Sequence, residues 1–305
     1  MQLPQQVRRI IEERADAIAT PALKRAAAGL SDAYRNGKPS RIRSDEDVAA
    51  YLVTRMPATY AAARAVLDDL PPLAVKSILD VGAGSGAASL AARERFPDSG
   101  TVTLIERDPS LADAAREWLG AAQIITADIT ALRELPPHDL VIAAYSLGEI
   151  ERDLTAMLWA AARTALVVIE PGTPRGAARI TAIREQLFAL GAHMAAPCPA
   201  AMPCPLVAPD WCHFAARVER SSLHRKLKGG ELGYEDEKYS YVAMVREPVP
   251  VAAARVLRHP QVRPGLIELE LCTPAGPRKE RVTKRDRERF RAARKANWGS
   301  RLEME

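Results

Sequence analysis

Cys198, Cys204 and Cys212 fall close together in the stretch PCPAAMPCPLVAPDWCHF (197–214), and the fourth cysteine of the chain, Cys272, follows 60 positions later. Prolines and small or apolar residues fill most of the gaps, and no helical or strand period runs through them. Thiolates are soft ligands, and four of them match an all-cysteine site for zinc or for an iron–sulfur cluster. The spacing Cys198-x5-Cys204-x7-Cys212 is wider than the short knuckles of structural zinc. Pro199, Pro203, Pro205 and Pro209 remove backbone donors and stiffen the segment, which suits a larger object wrapped by a rigid loop. Spacing alone leaves three readings open: a cluster, zinc, or buried free thiols. His213, beside Cys212, could replace a thiolate, although adjacent residues seldom both ligate.

A second constellation lies in ILDVGAGSGAASL (78–90). Gly82, Gly84 and Gly86 follow an apolar run and precede a helical pattern. Small residues there let backbone approach a ligand, and the helix start offers free N–H groups. Asp80 closes the first expected strand. Glu106 closes the second, placed to accept from both ribose hydroxyls of a nucleoside. Asp128 follows the third, where an adenine amine would lie. Tyr145 and Glu149, after the fourth strand, could line the same pocket, with packing and helix capping as the plain alternative. A helix cap for Asp80 and a solvated strand end for Glu106 are the corresponding plain readings.

These residues need elements to position them. Residues 1–70 read as helical, with apolar positions recurring at three and four and Ser44 as an N-cap before Asp45-Glu46-Asp47. Arg35-Asn36-Gly37-Lys38-Pro39 breaks that region, and Pro71-Pro72 ends it. From Val75, strands are expected at 75–83, 101–107, 121–128, 138–146 and 165–172. Helices are expected at 85–96, 109–120, 148–163 and 175–192. Such alternation means a parallel, doubly wound α/β sheet. A long irregular stretch (192–214) follows, and strands are expected again at 239–247 and 266–272. The resulting organisation is an N-terminal helical region (1–72), a Rossmann-like core (73–191), a Cys-rich insertion (192–238), the final strands of the core (239–275) and a basic tail (276–305).

The composition, 48% hydrophobic and 27% charged, is that of an ordinary soluble protein, and no run of 18 apolar residues exists to span a membrane. The first twenty residues carry acids and no apolar h-region, so neither a secretion signal nor a transit peptide is expected. The expected compartment is the cytoplasm, where disulfides are rare. Net charge is +5, yet PRKERVTKRDRERFRAARK (277–295) holds ten Lys/Arg against three acids. The remainder is therefore about neutral. Such a block reads as a nucleic-acid contact or as a solvated, salt-bridged helix.

An acidic residue just before G-x-G-x-G resembles the class I S-adenosylmethionine-dependent methyltransferases, and Asp80-Val81-Gly82-Ala83-Gly84-Ser85-Gly86 matches that pattern. The nicotinamide fingerprint G-x-G-x-x-G is the competitor and typically lacks the acidic lead-in. The resemblance implies that Asp80, Gly82, Gly84, Gly86, Glu106, Asp128 and Tyr145 bind S-adenosylmethionine. Catalytic residues are not identified: the Asn/Asp-Pro-Pro-aromatic motif of base N-methyltransferases is missing at 143–149, and the end of the fifth strand, Ile169-Glu170-Pro171-Gly172-Thr173, holds no cysteine. The C-x3-C-x2-C motif of radical enzymes is also missing.

The combination is more specific. A methyltransferase-like core carrying Ile169-Glu170-Pro171-Gly172-Thr173, the two Cys-Pro pairs, His224-Arg225-Lys226-Leu227-Lys228-Gly229 and the segment from Tyr234 to Tyr241 resembles one family over about residues 40–275. These are the methyltransferase-like small-ribosomal-subunit assembly factors of mitochondria, with their bacterial relatives. The resemblance implies a [4Fe–4S] cluster on Cys198, Cys204, Cys212 and Cys272, with zinc as the alternative. It also implies binding to small-subunit ribosomal RNA during assembly; a cluster cross-linking the insertion to the last strand would present the basic segments 223–228 and 277–295 on one surface. An active ribosomal RNA methyltransferase and a small-molecule methyltransferase with structural zinc are the alternatives. A monomer without membrane contact is expected.

Overall fold

The computed structural model describes residues 1–35, 42–199, 203–206 and 208–302, so the expected break at 36–39 lies outside the described residues. Four helices open the chain: α1 (Gln5–Asp16), α2 (Thr20–Arg35), α3 (Asp45–Thr54) and α4 (Met56–Asp68). The Ser44 side chain accepts from the Asp47 N–H, and three acids in the first turn of α3 favour its positive end.

The core follows as β1 (Ser77–Val81), α5 (Ala87–Arg95), β2 (Thr101–Glu106), α6 (Pro109–Leu119), β3 (Gln123–Thr126), β4 (His138–Ala144), α7 (Thr155–Ala161), β5 (Ala162–Pro171) and α8 (Pro174–Ala189). Strands β1 to β5 are parallel in the order β3-β2-β1-β4-β5. This is the Rossmann-like arrangement expected, in which β1 and β4 part at the switch point where ligands bind. Ile78, Leu79, Leu140, Val141 and Ile142 are fully buried, as continuous apolar runs in a two-faced sheet should be. The helix expected at 148–163 is shorter: a 3-10 turn at Leu147–Glu149 precedes α7, and Ala162 already pairs with His138 in the sheet.

The next elements are β6 (His193–Ala196), β7 (Phe214–Glu219), α9 (Ser222–Lys228) and β8 (Tyr234–Val245). Strand β8 runs antiparallel to β5 along one edge. On its other edge it receives β7 against residues 234–239 and β6 against 243–245. The cysteine segment therefore leaves and re-enters the sheet beside the same strand. The irregular reading of 192–214 is corrected only at its ends, His193–Ala196 and Phe214; the described residues between them form neither helix nor strand, and Glu235, Asp236 and Glu237 lie in a strand.

The expectation that 239–275 completes the core is also corrected. Only β8 does so. Strands β9 (Ala254–Val256), β10 (Gln261–Arg263), β11 (Leu266–Thr273), β12 (Gly276–Thr283) and β13 (Arg301–Leu302) form a second, five-stranded sheet, all pairs antiparallel. Helix α10 (Arg287–Lys295) packs on it through Phe290 and Ala293, over Ile267, Leu269, Leu271 and Val282. Residues 276–302 are thus no tail. Two charges of β12 make cross-strand ion pairs: Lys279 faces Glu270, and Arg281 faces Glu268.

Candidate functional site

Two concave sites emerge. The first, a cavity of about 600 Å³, lies over the carboxyl ends of β1, β2 and β4. Gly82, Gly84, Glu106, Asp128, Tyr145 and Glu149 line it. Gly82 and Gly84 have φ of 66° and 54°, which favour glycine. A Cβ on Gly82 would stand 2.4 Å from Ser146 Cβ. Glu106 is buried, and its two oxygens accept from the Gly84 N–H (2.7 Å) and the Asp108 N–H (2.8 Å). Each oxygen keeps a second lone pair. Asp128 is exposed and accepts from the Thr130 N–H and hydroxyl, bonds that hold its carboxyl below its usual range. Tyr145 adopts φ 58°, the one positive value off glycine among the described residues.

Two motif residues are not in this lining. Asp80 points its Oδ2 at Ser89, accepting from its N–H (2.9 Å) and hydroxyl (2.7 Å). Gly86 caps α5 against Leu104 and Leu119. In this structure Asp80 ties the glycine turn to α5, and Gly86 lets that helix pack closely. Sequence reasoning missed Tyr51, Arg55 and Thr59, which bring α3 and α4 to the pocket, and Arg107, which pairs with Glu149 at 2.9 Å. Burial pushes the Tyr51 phenol up to about 12, so it stays a neutral donor beside Gly84.

The second site is a cavity of about 260 Å³ lined by all four cysteines. Cys198, Cys204 and Cys212 come from the segment between β6 and β7, and Cys272 comes from β11 of the second sheet. Pro197, Pro199, Pro203 and Pro205 wall it, with the buried guanidiniums of Arg184 and Arg255. Burial pushes the Cys198, Cys212 and Cys272 thiols up, Cys272 to about 11, and the neighbouring thiols push in the same direction. The two arginines pull the other way. All four are free thiols, and among the described residues no three His, Cys, Asp or Glu side chains are arranged to hold a metal ion. The donor set is that of a site for soft metals. Around a single zinc ion, sulfurs at about 2.3 Å from the metal must converge on one point.

His213 is not in this lining. It sits between Trp211 (centroids 5.1 Å) and Trp298 (4.8 Å), and its Nδ1 lies 3.1 Å from the Trp211 carbonyl. Trp211 donates from its ring N–H to the Gly172 carbonyl (3.0 Å), and Tyr239 packs on Phe214 and Tyr241, so both rings are structural.

The basic segments rest on different elements. In α9, His224 is buried and, with Arg220 and Lys228, surrounds Glu235. Burial alone would raise the Glu235 carboxyl, but hydrogen bonds from His224 and Arg220 and the Lys228 charge hold it far below its usual range. On α10 and the turn before it, Lys284, Arg285, Arg287, Arg291, Arg294 and Lys295 are exposed and make no ion pair among the described residues. No helix of the described residues is long and apolar enough to cross a membrane.

Residues 45–303 match the protein family described as mitochondrial small ribosomal subunit Rsm22. Over 98% of its length the chain is 25% identical to the mitochondrial Rsm22-cox11 tandem protein 2 of Schizosaccharomyces pombe. Over 83% it is 24% identical to the human mitochondrial ribosome assembly protein METTL17. It spans 48% and 61% of the length of these relatives. Among solved structures, a SAM-dependent methyltransferase from Aquifex aeolicus aligns with 68% of this chain and 100% of its own, at TM-score 0.43 and 14% identity.

Proposed function

The chain belongs to the mitochondrial small ribosomal subunit Rsm22 family, and on that premise we propose that it serves assembly of the small ribosomal subunit by binding its RNA, carrying S-adenosylmethionine and a [4Fe–4S] cluster. The observation that carries this reading is the meeting of four cysteines, three from the segment between β6 and β7 and one from β11 of the second sheet, in one cavity. Cys198, Cys204, Cys212 and Cys272 would hold the cluster, whose size suits thiols that line a volume better than thiols that converge on one ion. Bound there, it supplies a cross-link between the β6–β7 segment and the second sheet, as structural metals do elsewhere. Anaerobic purification with iron, sulfide and zinc analysis tests it. Brown protein with about four irons per chain is expected; colourless protein with stoichiometric zinc overturns it.

Gly82, Gly84, Glu106 and Asp128 support a nucleoside cofactor over the strand ends. Six uncompensated cations around α10 support phosphate contact, which gives affinity with little base readout. Replacing Arg287, Arg291 and Arg294 with glutamine should weaken ribosomal RNA binding and lower the salt slope by about 2 to 3. An unchanged slope would place the RNA elsewhere. One observation favours a second reading, methyl transfer to that RNA: the left-handed backbone of Tyr145 at the pocket. Labelled methyl transfer to RNA from a deletion strain, abolished in Gly84→Arg, is its signature.

A further inference from the structure

Glu170 lines neither cavity, yet its carboxyl is fully buried, at 0% exposure. It sits near the end of β5, on the face where Leu166 and Val168 pack with Leu147, Ile180 and Ile183. Arg179 of α8 answers it, donating from Nη1 to its Oε2 at 2.8 Å. The chain after Glu170 brings that arginine back: the Thr173 hydroxyl accepts from the Gly176 N–H (3.1 Å) and starts α8 there. The turn after β4 closes on the same carboxylate, and a Cβ on Gly148 would lie 3.1 Å from Oε2. Burial pushes the Glu170 carboxyl up. Arg179 and the N–H groups of Gly148 and Leu147 pull it the other way, although no full hydrogen bond closes on Oε1 among the described residues.

That turn is a wall of the nucleoside pocket: Tyr145, Ser146, Glu149 and Ile150 line the cavity. Two further bonds fasten it. The Tyr145 N–H donates to the carbonyl of Ile169, the neighbour of Glu170, at 2.7 Å, and the Ser146 hydroxyl donates to the Val81 carbonyl at 2.9 Å. Ser146 then stands against Gly82 of the glycine turn. A tyrosine in left-handed backbone persists only where its surroundings over-determine it. Stability alone does not account for a buried ion pair at this place, since apolar residues of similar size often hold a core as well or better.

We propose that Glu170 is a positioning residue for the nucleoside pocket: clamped by Arg179, it offers its acceptors to the turn at Leu147 and Gly148 and so fixes the wall formed by Tyr145, Ser146 and Glu149 against the glycine turn. This rests on the S-adenosylmethionine reading above. Glu170 does not reach the cofactor's cavity; it acts through the backbone it holds.

The test uses the full chain, with S-adenosylmethionine binding read by calorimetry and stability by urea unfolding. Replacing both members of the pair, Glu170→Met with Arg179→Met, removes the acceptors and leaves no cation behind. This variant should unfold as cooperatively as wild type and bind at least about tenfold more weakly, as small misplacements made at a distance do. Glu170→Gln keeps the size and one carbonyl acceptor for the turn, and should bind within about threefold of wild type. A paired variant that folds and binds as tightly as wild type overturns the proposal alone. So does a Gln variant as weak as the paired one, since an acceptor at 170 is then not the cause. If the paired variant does not fold, Glu170→Asp decides. It keeps the charge beside Arg179 but draws the carboxylate back by one methylene; several-fold weaker binding is expected, and wild-type affinity overturns the proposal. Wild-type protein that binds no S-adenosylmethionine overturns the cofactor reading, and this proposal with it.

Discussion

Asp80 sits wholly inside the protein, and both bonds its carboxylate accepts come from Ser89. Burial pushes its pKa up from 3.8 to about 6. A carboxyl raised by folding stabilises fully below its unfolded value, and that contribution is lost as pH rises through its folded value. Two units correspond to roughly 3 kcal/mol. Asp80→Asn keeps an acceptor and removes the titration. Between about pH 4 and pH 7, wild type should therefore lose roughly 3 kcal/mol relative to the variant in urea unfolding; a constant gap would refute the buried ionisation. Gly82 offers a second check at this scale. Alanine there must hold φ 66° at a cost of about 1–2 kcal/mol, and its Cβ would collide with Ser146. Calorimetry of Gly82→Ala should find S-adenosylmethionine binding lost, with the fold destabilised but present.

Strand β8 and helix α9 meet at Glu235, which gathers Arg220, His224 and Lys228. Glu235→Ala would leave three basic groups around an empty place. Its unfolding free energy should fall by about 3 kcal/mol, with hydrogen exchange rising in α9; a change within about 0.5 kcal/mol would mean a solvent-screened surface cluster. This element also marks where sequence stopped being legible. Strands β1, β2, β4 and β5 were readable because a two-faced parallel strand is an unbroken apolar run. HMAA (β6) and FAARVE (β7) carry no such signal; the edge of β8 makes them strands. KERVT in β12 read as part of a solvated tail because its partners, Glu268 and Glu270, lie on another strand. The candidate sites divide the same way. The glycine turn and the cysteines are local patterns, whereas Tyr51, Arg184 and Arg255 reach their cavities only through tertiary packing.

Asp69 joins the parts of the molecule. At the end of α4 it accepts from Tyr241 of β8, Arg255 of β9 and Arg301 of β13. Asp69→Ala should raise hydrogen exchange in β9 and β13 while leaving β1 and β4 protected, as mass spectrometry can resolve; unchanged protection of β9 and β13 would show that apolar packing alone holds the second sheet. The dependence of β6 and β7 on β8 has a temporal counterpart. Strands β1 to β5 can pair as they emerge during synthesis, but β7 has no neighbour until residues 234–239 have been made, and β6 none until 243–245. Three thiols thus wait on an unclosed hairpin arm for a fourth that arrives later still. If the four cysteines hold the proposed cluster, that site can close only once Cys272 has been made, after the glycine turn and its flanking strands are already complete.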